Sequence, residues 1–343
     1  MVVQTILLLI SLALAALLGF AAHRASICSV KAVEEVLTTR RAYLLASFGK
    51  TVLWTMAVTM PLLWAWPATR AFETGWPVTL YGLAGGLVFG VGAVFNSGCA
   101  FSTLTRLGSG QLSMLLSLAG FALGVVGHEL LAAQASMPTA AAGDAYLAQT
   151  GVWPRLLLAV LVLWGLWEVR RLWRSRPAGQ GLWALALADR YRLSTAALLI
   201  GVSNAVLYAL HGNWAYTSTL ARGIQQATGS GGAQANRVAW LLFLFVIAGI
   251  VFSAWQRRSF RLQWRPTVDW GWHLVGGTLM GFGAALVPGG NDALLLYGIP
   301  WLSPHAIPAY LAMLLGIAVA LGLMRLGGAG FATIKCSGDV CSR

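Results

Sequence analysis

Asn96-Ser97-Gly98-Cys99-Ala100 interrupts a long apolar stretch, and the reading of that interruption decides the fold. Upstream runs Gly85-Gly86-Leu87-Val88-Phe89-Gly90-Val91-Gly92. Downstream, the segment 99–107 is too short to cross a bilayer, which takes about 20 mainly apolar residues. Three more breaks of the same kind lie between long apolar segments: His23-Arg24-Ala25-Ser26-Ile27-Cys28, His211-Gly212-Asn213-Trp214 and Pro288-Gly289-Gly290-Asn291-Asp292. Polar, kinkable backbone at membrane depth is tolerated only where protein buries it or where it lines a cavity. Breaks at corresponding places in two halves of a chain point to a transport site.

Composition agrees. The 343 residues are 58% hydrophobic and 10% charged, against about 25% charged in soluble domains. This excludes a soluble enzyme and describes an all-α polytopic membrane protein. Met1 to Ala22 reads as a span rather than a cleaved signal, since no small-residue cleavage site followed by a soluble domain comes after it. The net charge of +13 would suggest nucleic acid in a soluble protein. Here it is read as topology, and no nucleic-acid partner is expected.

Nine spans are expected, at about 3–22, 42–66, 79–96, 112–133, 155–173, 193–210, 238–255, 271–287 and 305–326. After four of them come short segments, 27–38, 99–107, 214–225 and 291–300, read as re-entrant half-helices. Assigning the loops alternately to two sides puts all basic residues but Lys50, Arg70, Arg155, Arg222 and Arg237 on one side, 18 of the 23. Positive loops stay in the cytoplasm. The expected location is thus a bacterial inner membrane, with the N-terminus outside and the C-terminus inside.

In this topology the first two breaks enter from the cytoplasm and the last two from outside. Four spans, a connecting fifth, then four spans make two halves of opposite orientation. The register supports it: Gly85 to Gly92 aligns without a gap with Gly276-Gly277-Thr278-Leu279-Met280-Gly281-Phe282-Gly283, which sets Cys99 opposite Gly290. The expected units are 1–150, first repeat; 151–192, connecting span and basic cytoplasmic loop; 193–328, second inverted repeat; and 329–343, a C-terminal tail.

At these motifs the chain resembles the YeeE/YedE sulfur-transport family of inner-membrane proteins. The resemblance rests on Gly19-Phe20 through Arg24 to Cys28, Gly90-Val91-Gly92 through Gly98-Cys99, Arg106-Leu107-Gly108-Ser109-Gly110, and Gly281-Phe282-Gly283-Ala284 into Pro288-Gly289-Gly290. It implies a nine-span fold with four re-entrant elements meeting mid-membrane. It also implies uptake of thiosulfate or a related small sulfur compound past cysteines, here Cys28 and Cys99, which contact the terminal sulfur through S–H···S interactions. In one respect the chain departs from the family: thiosulfate-transporting relatives carry a cysteine in the fourth break, where this chain has Pro288-Gly289-Gly290-Asn291-Asp292.

A dianion in hydrocarbon needs donors to replace its water. The candidate substrate path is Cys28, Cys99, Gly98, Ser97, Asn213, Gly289, Gly290 and Asn291. Glycine permits close backbone approach, and half-helix N-termini offer free N–H groups and a positive dipole end. Ser102, Thr103, Ser218 and Thr219 are either further donors or helix-packing residues. Arg24, Lys50 and Arg106 either attract an anion or anchor the chain, Lys50 by snorkelling. Asp292 reads as a half-helix cap. His128-Glu129 is a proton-linked pair or an interfacial one. Cys336 and Cys341 are spaced Cys-x4-Cys, not the Cys-x2-Cys of common zinc or redox motifs. They receive or pass on sulfur, or belong to an unstructured end.

The leading expectation is a non-enzymatic transporter importing thiosulfate or a related anion along a cysteine-lined path. The rivals are a membrane-embedded sulfur transferase or redox subunit that forms persulfide on its cysteines, and a membrane partner of a soluble sulfur enzyme. The expected partners are a small sulfur-containing anion, the lipid bilayer and a small cytoplasmic sulfur-carrier protein. No nucleotide loop, metal cluster or haem or quinone pattern occurs in the sequence, so no cofactor or metal is expected.

Overall fold

The computed structural model describes residues 2–66, 75–135, 151–175, 181, 187–229, 236–264, 267, 269–328, 335–337 and 339–342, with backbone alone for 135, 335–337 and 340–342. Arg70, Arg176, Arg265 and Arg343 of the charge count lie outside the described residues.

The helices are α1 (Val2–Ala25), α2 (Ser29–Thr39), α3 (Tyr43–Ala65), α4 (Leu80–Phe95), α5 (Ala100–Gly108), α6 (Met114–Ala135) and α7 (Val152–Arg174), then α8 (Leu193–His211), α9 (Tyr216–Thr228), α10 (Arg237–Gln256) and α11 (Asp269–Leu286). A short α12 (Asn291–Ala293) continues as a π-turn, Leu294–Gly298, and α13 (Ala306–Leu326) follows. At the tail, β1 (Lys335–Ser337) pairs antiparallel with β2 (Val340–Ser342). The protein is an all-α polytopic membrane protein: among the described residues seven helical stretches are long and apolar enough to cross a membrane, and α11 with α12 makes an eighth. The expectation was nine. The remaining expected span, 42–66, corresponds to α3, a helix of 23 residues whose Lys50, Thr51, Thr55 and Thr59 lower its hydropathy.

The short helices lie close in sequence to the spans before them. α1 with α2, α4 with α5, and α8 with α9 run on as single stretches, Val2–Thr39, Leu80–Gly108 and Leu193–Thr228, while α11 and α12 meet at 45°. The four short helices follow the breaks as the sequence places them. Each break turns on a residue of positive φ, Ser26 (φ 51°), Ser97 (φ 56°), Gly212 (φ 67°) or Gly289 (φ 137°), which ends one helix. Gly98 N–H donates to the Ala93 carbonyl at 2.8 Å, and Gly289 N–H to Ala284 at 2.9 Å, at positions the sequence register equates.

Glycine fixes how the spans cross. A Cβ on Gly85 would strike Gly283, and one on Gly92 would strike Gly276, so the two aligned segments pack on each other reciprocally. Gly90 of α4 lies against the backbone of α13 at Met313, and its counterpart Gly281 of α11 against the backbone of α6 at Phe121. Small residues let backbones approach closely where lipid supplies no hydrophobic drive for association. α1 packs on α10 and α3 on α8 in the same paired fashion.

Candidate functional site

At all four breaks the second helix begins at the interruption. Cys28 is the N-cap of α2, Cys99 of α5, Ala215 of α9 and Gly290 of α12, and none of these four makes a side-chain capping bond. A helix start leaves four N–H groups without intrahelical partners. Cys28 and Cys99 do so because a thiol caps weakly compared with Ser, Thr, Asp or Asn.

The four starts meet. Cys28 Sγ donates to Ser102 Oγ at 3.5 Å, joining α2 to α5, and the two thiols are direct neighbours. Asn291 Nδ2 donates to Ser29 Oγ at 3.4 Å, joining α12 to α2. Gly290 N–H donates to Thr217 Oγ1 at 3.1 Å, joining α12 to α9. The Tyr216 ring packs edge-on against Phe101, joining α9 to α5. Cys28 and Cys99 are buried, with 2% and 1% of their surface exposed, and both are free thiols.

Near these helix starts are buried polar atoms that make no hydrogen bond among the described residues: Tyr216 Oη, Ser218 Oγ and Asn291 Oδ1. Tyr216 and Tyr310 both lie within electrostatic reach of the two thiols. An unmade hydrogen bond on a buried group costs about 1–3 kcal/mol. Several such groups lie where the four helix starts meet.

Asp292 caps a half-helix as expected, but its neighbour's. Its Oδ2 accepts from the Thr217 N–H of α9 at 3.2 Å, and its Oδ1 accepts from the Thr217 hydroxyl. Asp292→Ala strands both donors and is expected to destabilise the protein by about 1–3 kcal/mol. The measurement is the midpoint of thermal unfolding in detergent, where Asp292→Asn, which keeps one acceptor, recovers part of the loss. An unchanged midpoint for Asp292→Ala would show that water takes over the pairing.

The other expected residues divide clearly. Gly98 sits against Ser102, and Gly290 against Thr217, so close that a side chain would displace them. Gly289 makes the fourth turn. Ser97 makes the second turn but is exposed, away from the buried cluster. Asn213 supports the third break: its Oδ1 accepts from Tyr208 at 3.4 Å and its carbonyl accepts from Arg222. Arg106 secures the second break in the same manner, donating to the Asn96 carbonyl at 3.2 Å and to Gln111 at 2.6 Å. Buried Arg24 bonds Ser253, Gln256 and the Ala188 carbonyl and lies over the Phe20 ring. Glu129 of the His128-Glu129 pair accepts from Gln225 at 2.7 Å.

Lys50 belongs to a different place. Its Nζ donates to Glu168 at 2.8 Å and to Ser194 at 2.6 Å, and Arg171 reaches the same two groups at 2.8 and 2.9 Å. Glu168 is fully buried, and a buried carboxylate needs such partners. The network ties α7 to α3 and α8 beside a cavity of about 460 Å³ lined by Lys50, Arg171, Arg192, Ser194 and Asp339, among others. Neither Cys28 nor Cys99 lines it.

Sequence reasoning missed Tyr216 and Tyr310. Tyr216 carried a usable signal, as the first residue of the helix after the third break. Tyr310, inside α13, carried none, because only the packing of α13 brings it to the thiols.

No curated protein matches the chain. The family described as sulphur transport matches residues 24–319, from the first break into the last long helix. With both thiols and all four helix starts inside that match, the chain belongs to the YeeE/YedE sulphur transport family.

Proposed function

We propose that this membrane protein imports thiosulfate, or a closely related small sulfur-containing anion, between re-entrant half-helices and past Cys99 and Cys28. One observation carries the reading: two adjacent buried thiols sit among unpartnered hydroxyls where four helix starts meet. The helix starts of α2 and α5 offer N–H donors and positive dipole ends to an anion. The thiols supply soft, weak S–H donors suited to a terminal sulfur. In the fourth break, which lacks the third thiol the resemblance led one to expect, Asn291 takes over the binding role, and the Tyr216 and Tyr310 hydroxyls complete the lining. The reciprocal glycine contacts support two inverted repeats. The basic loops support an inner-membrane protein with its N-terminus outside and a cytoplasmic C-terminus, from which a small sulfur-carrier protein would collect the product.

The adjacency of the thiols favours a second reading, covalent transfer. A Cys99 thiolate attacking the outer sulfur of thiosulfate would break the S–S bond, expel sulfite and keep that sulfur as persulfide. Labelled sulfur retained on Cys99 after turnover would mark this chemistry, whereas transport leaves the thiol unmodified.

The test is uptake of radiolabelled thiosulfate by sulfur-starved cells lacking their own importers. Saturable uptake, competed by unlabelled thiosulfate, is the expected result. None, at a normal membrane level of the protein, would remove thiosulfate as the substrate. Tyr216→Phe removes one hydroxyl and little volume. It is expected to slow uptake about three- to tenfold, the worth of one hydrogen bond of about 1 kcal/mol. Unchanged uptake would take Tyr216 out of the path.

A further inference from the structure

The C-terminal hairpin sets Cys336 directly opposite Cys341, in the register Lys335↔Ser342, Cys336↔Cys341 and Ser337↔Val340. The Cys-x4-Cys spacing, unexplained by zinc or common redox motifs, is the spacing that a two-residue hairpin connection needs to pair its cysteines. Opposed residues of an antiparallel pair alternate between hydrogen-bonded and non-hydrogen-bonded sites. With Ser337↔Val340 closing the connection, Cys336↔Cys341 falls on a non-hydrogen-bonded site, where Cα atoms are about 4.5 Å apart. A disulfide needs about 4.4–6.8 Å.

The hairpin is also held in place. The Asp339 carbonyl accepts from Leu193 N–H at 2.8 Å. The Asp339 carboxylate accepts from the Ser194 N–H at 3.0 Å and from its hydroxyl at 2.8 Å, at the start of α8. Ser194 is the group that Lys50 and Arg171 also bond. The turn is thus the last link of the network that anchors α7, and Asp339 forms part of the wall of the basic cavity.

We propose that Cys336 and Cys341 form a redox-active dithiol site that exchanges with small disulfides, separate from the thiols of the path. In the oxidising direction the thiolate of one cysteine attacks an external disulfide R–S–S–R, forms a mixed disulfide and releases R–S⁻. The thiolate of the other attacks the protein sulfur of that mixed disulfide and releases the second R–S⁻. The two protons lost by the cysteines go to the two released thiolates, and two electrons pass from the protein to the small disulfide. A dithiol reductant of the thioredoxin class reverses the sequence. Register and anchoring hold the two backbone positions opposite each other, and this raises the effective concentration of the second thiol.

The experiment equilibrates the full chain in detergent with defined mixtures of reduced and oxidised glutathione, traps free thiols by alkylation, and digests after Lys335. The fragment Cys336–Arg343 is expected to lose two hydrogens and take no alkyl group. Its midpoint should lie at a glutathione ratio at least tenfold more reducing than that of a free peptide of residues 329–343. Cys341→Ser is expected to yield only a mixed disulfide with glutathione on Cys336. Asp339→Ala, which releases the turn, is expected to move the midpoint toward that of the peptide. A full-chain midpoint equal to the peptide's, or glutathione on both cysteines in place of an internal bond, would overturn the proposal. Neither readout depends on transport, so the proposal stands or falls apart from the transport reading.

Discussion

Cys99→Ser is expected to lower thiosulfate uptake at least tenfold without lowering the amount of folded protein in the membrane. The two halves of that expectation have different causes. Folding survives because serine is smaller than cysteine and is a far better N-cap: its hydroxyl accepts from the first-turn N–H groups of α5 that Cys99 leaves uncapped. Uptake fails for the same reason. A hydroxyl committed to its own helix no longer meets the anion, and the N–H groups it covers are withdrawn from the proposed path. The soft sulfur surface beside Cys28 is lost as well. Cys28→Ser is expected to act in the same direction, since its thiol already points at Ser102 at 3.5 Å and a hydroxyl there would close to about 2.8 Å. Initial uptake rates normalised to membrane protein are the measurement. Full uptake by both variants would discard the thiol path and leave the Tyr216 and Tyr310 hydroxyls as the lining that matters.

The largest expected effect on stability belongs to Gly281→Leu. A Cβ at Gly281 would land on the Phe121 carbonyl of α6, which is backbone and cannot swing aside. The helices must separate, and the loss is expected to reach about 3 kcal/mol or more, the upper end for overpacked sites. Gly90→Leu is expected to match it, because Gly90 meets the Met313 backbone of α13 in the corresponding crossing. Gly322→Ala is the control: no atom lies within 4 Å of the added Cβ, and its unfolding midpoint should stay where it is. Size-exclusion yield and thermal unfolding in detergent report the difference. If Gly281→Leu were folded and as stable as Gly322→Ala, close crossing by small residues would not be what holds α11 to α6.

The glycine octets, the four breaks and the long apolar runs were legible in the sequence because each is a local, periodic demand that the bilayer makes on any chain crossing it. Cys28 and Cys99 were legible for a related reason: a thiol at a polar break is anomalous within a few residues of itself. The path of the short helices was not. Whether α2 continues α1 or turns back depends on one left-handed residue, Ser26, and on what packs beyond it. Lys50 shows the other limit. A lysine within a span invites a reading as an anion site, yet Glu168, 118 residues further on, takes its charge.

By itself, then, the sequence determined the membrane class, the register of the two halves and the placing of two thiols at breaks, since hydropathy, glycine spacing and residue identity are properties of short stretches. Only the tertiary structure decided which groups keep company: Asn291 with Ser29, Asp292 with Thr217, Tyr216 and Tyr310 with the thiols, and Asp339 with the start of α8. Such pairings arise from packing between residues far apart in the chain, where each partner is one of many chemically equivalent choices until the helices meet.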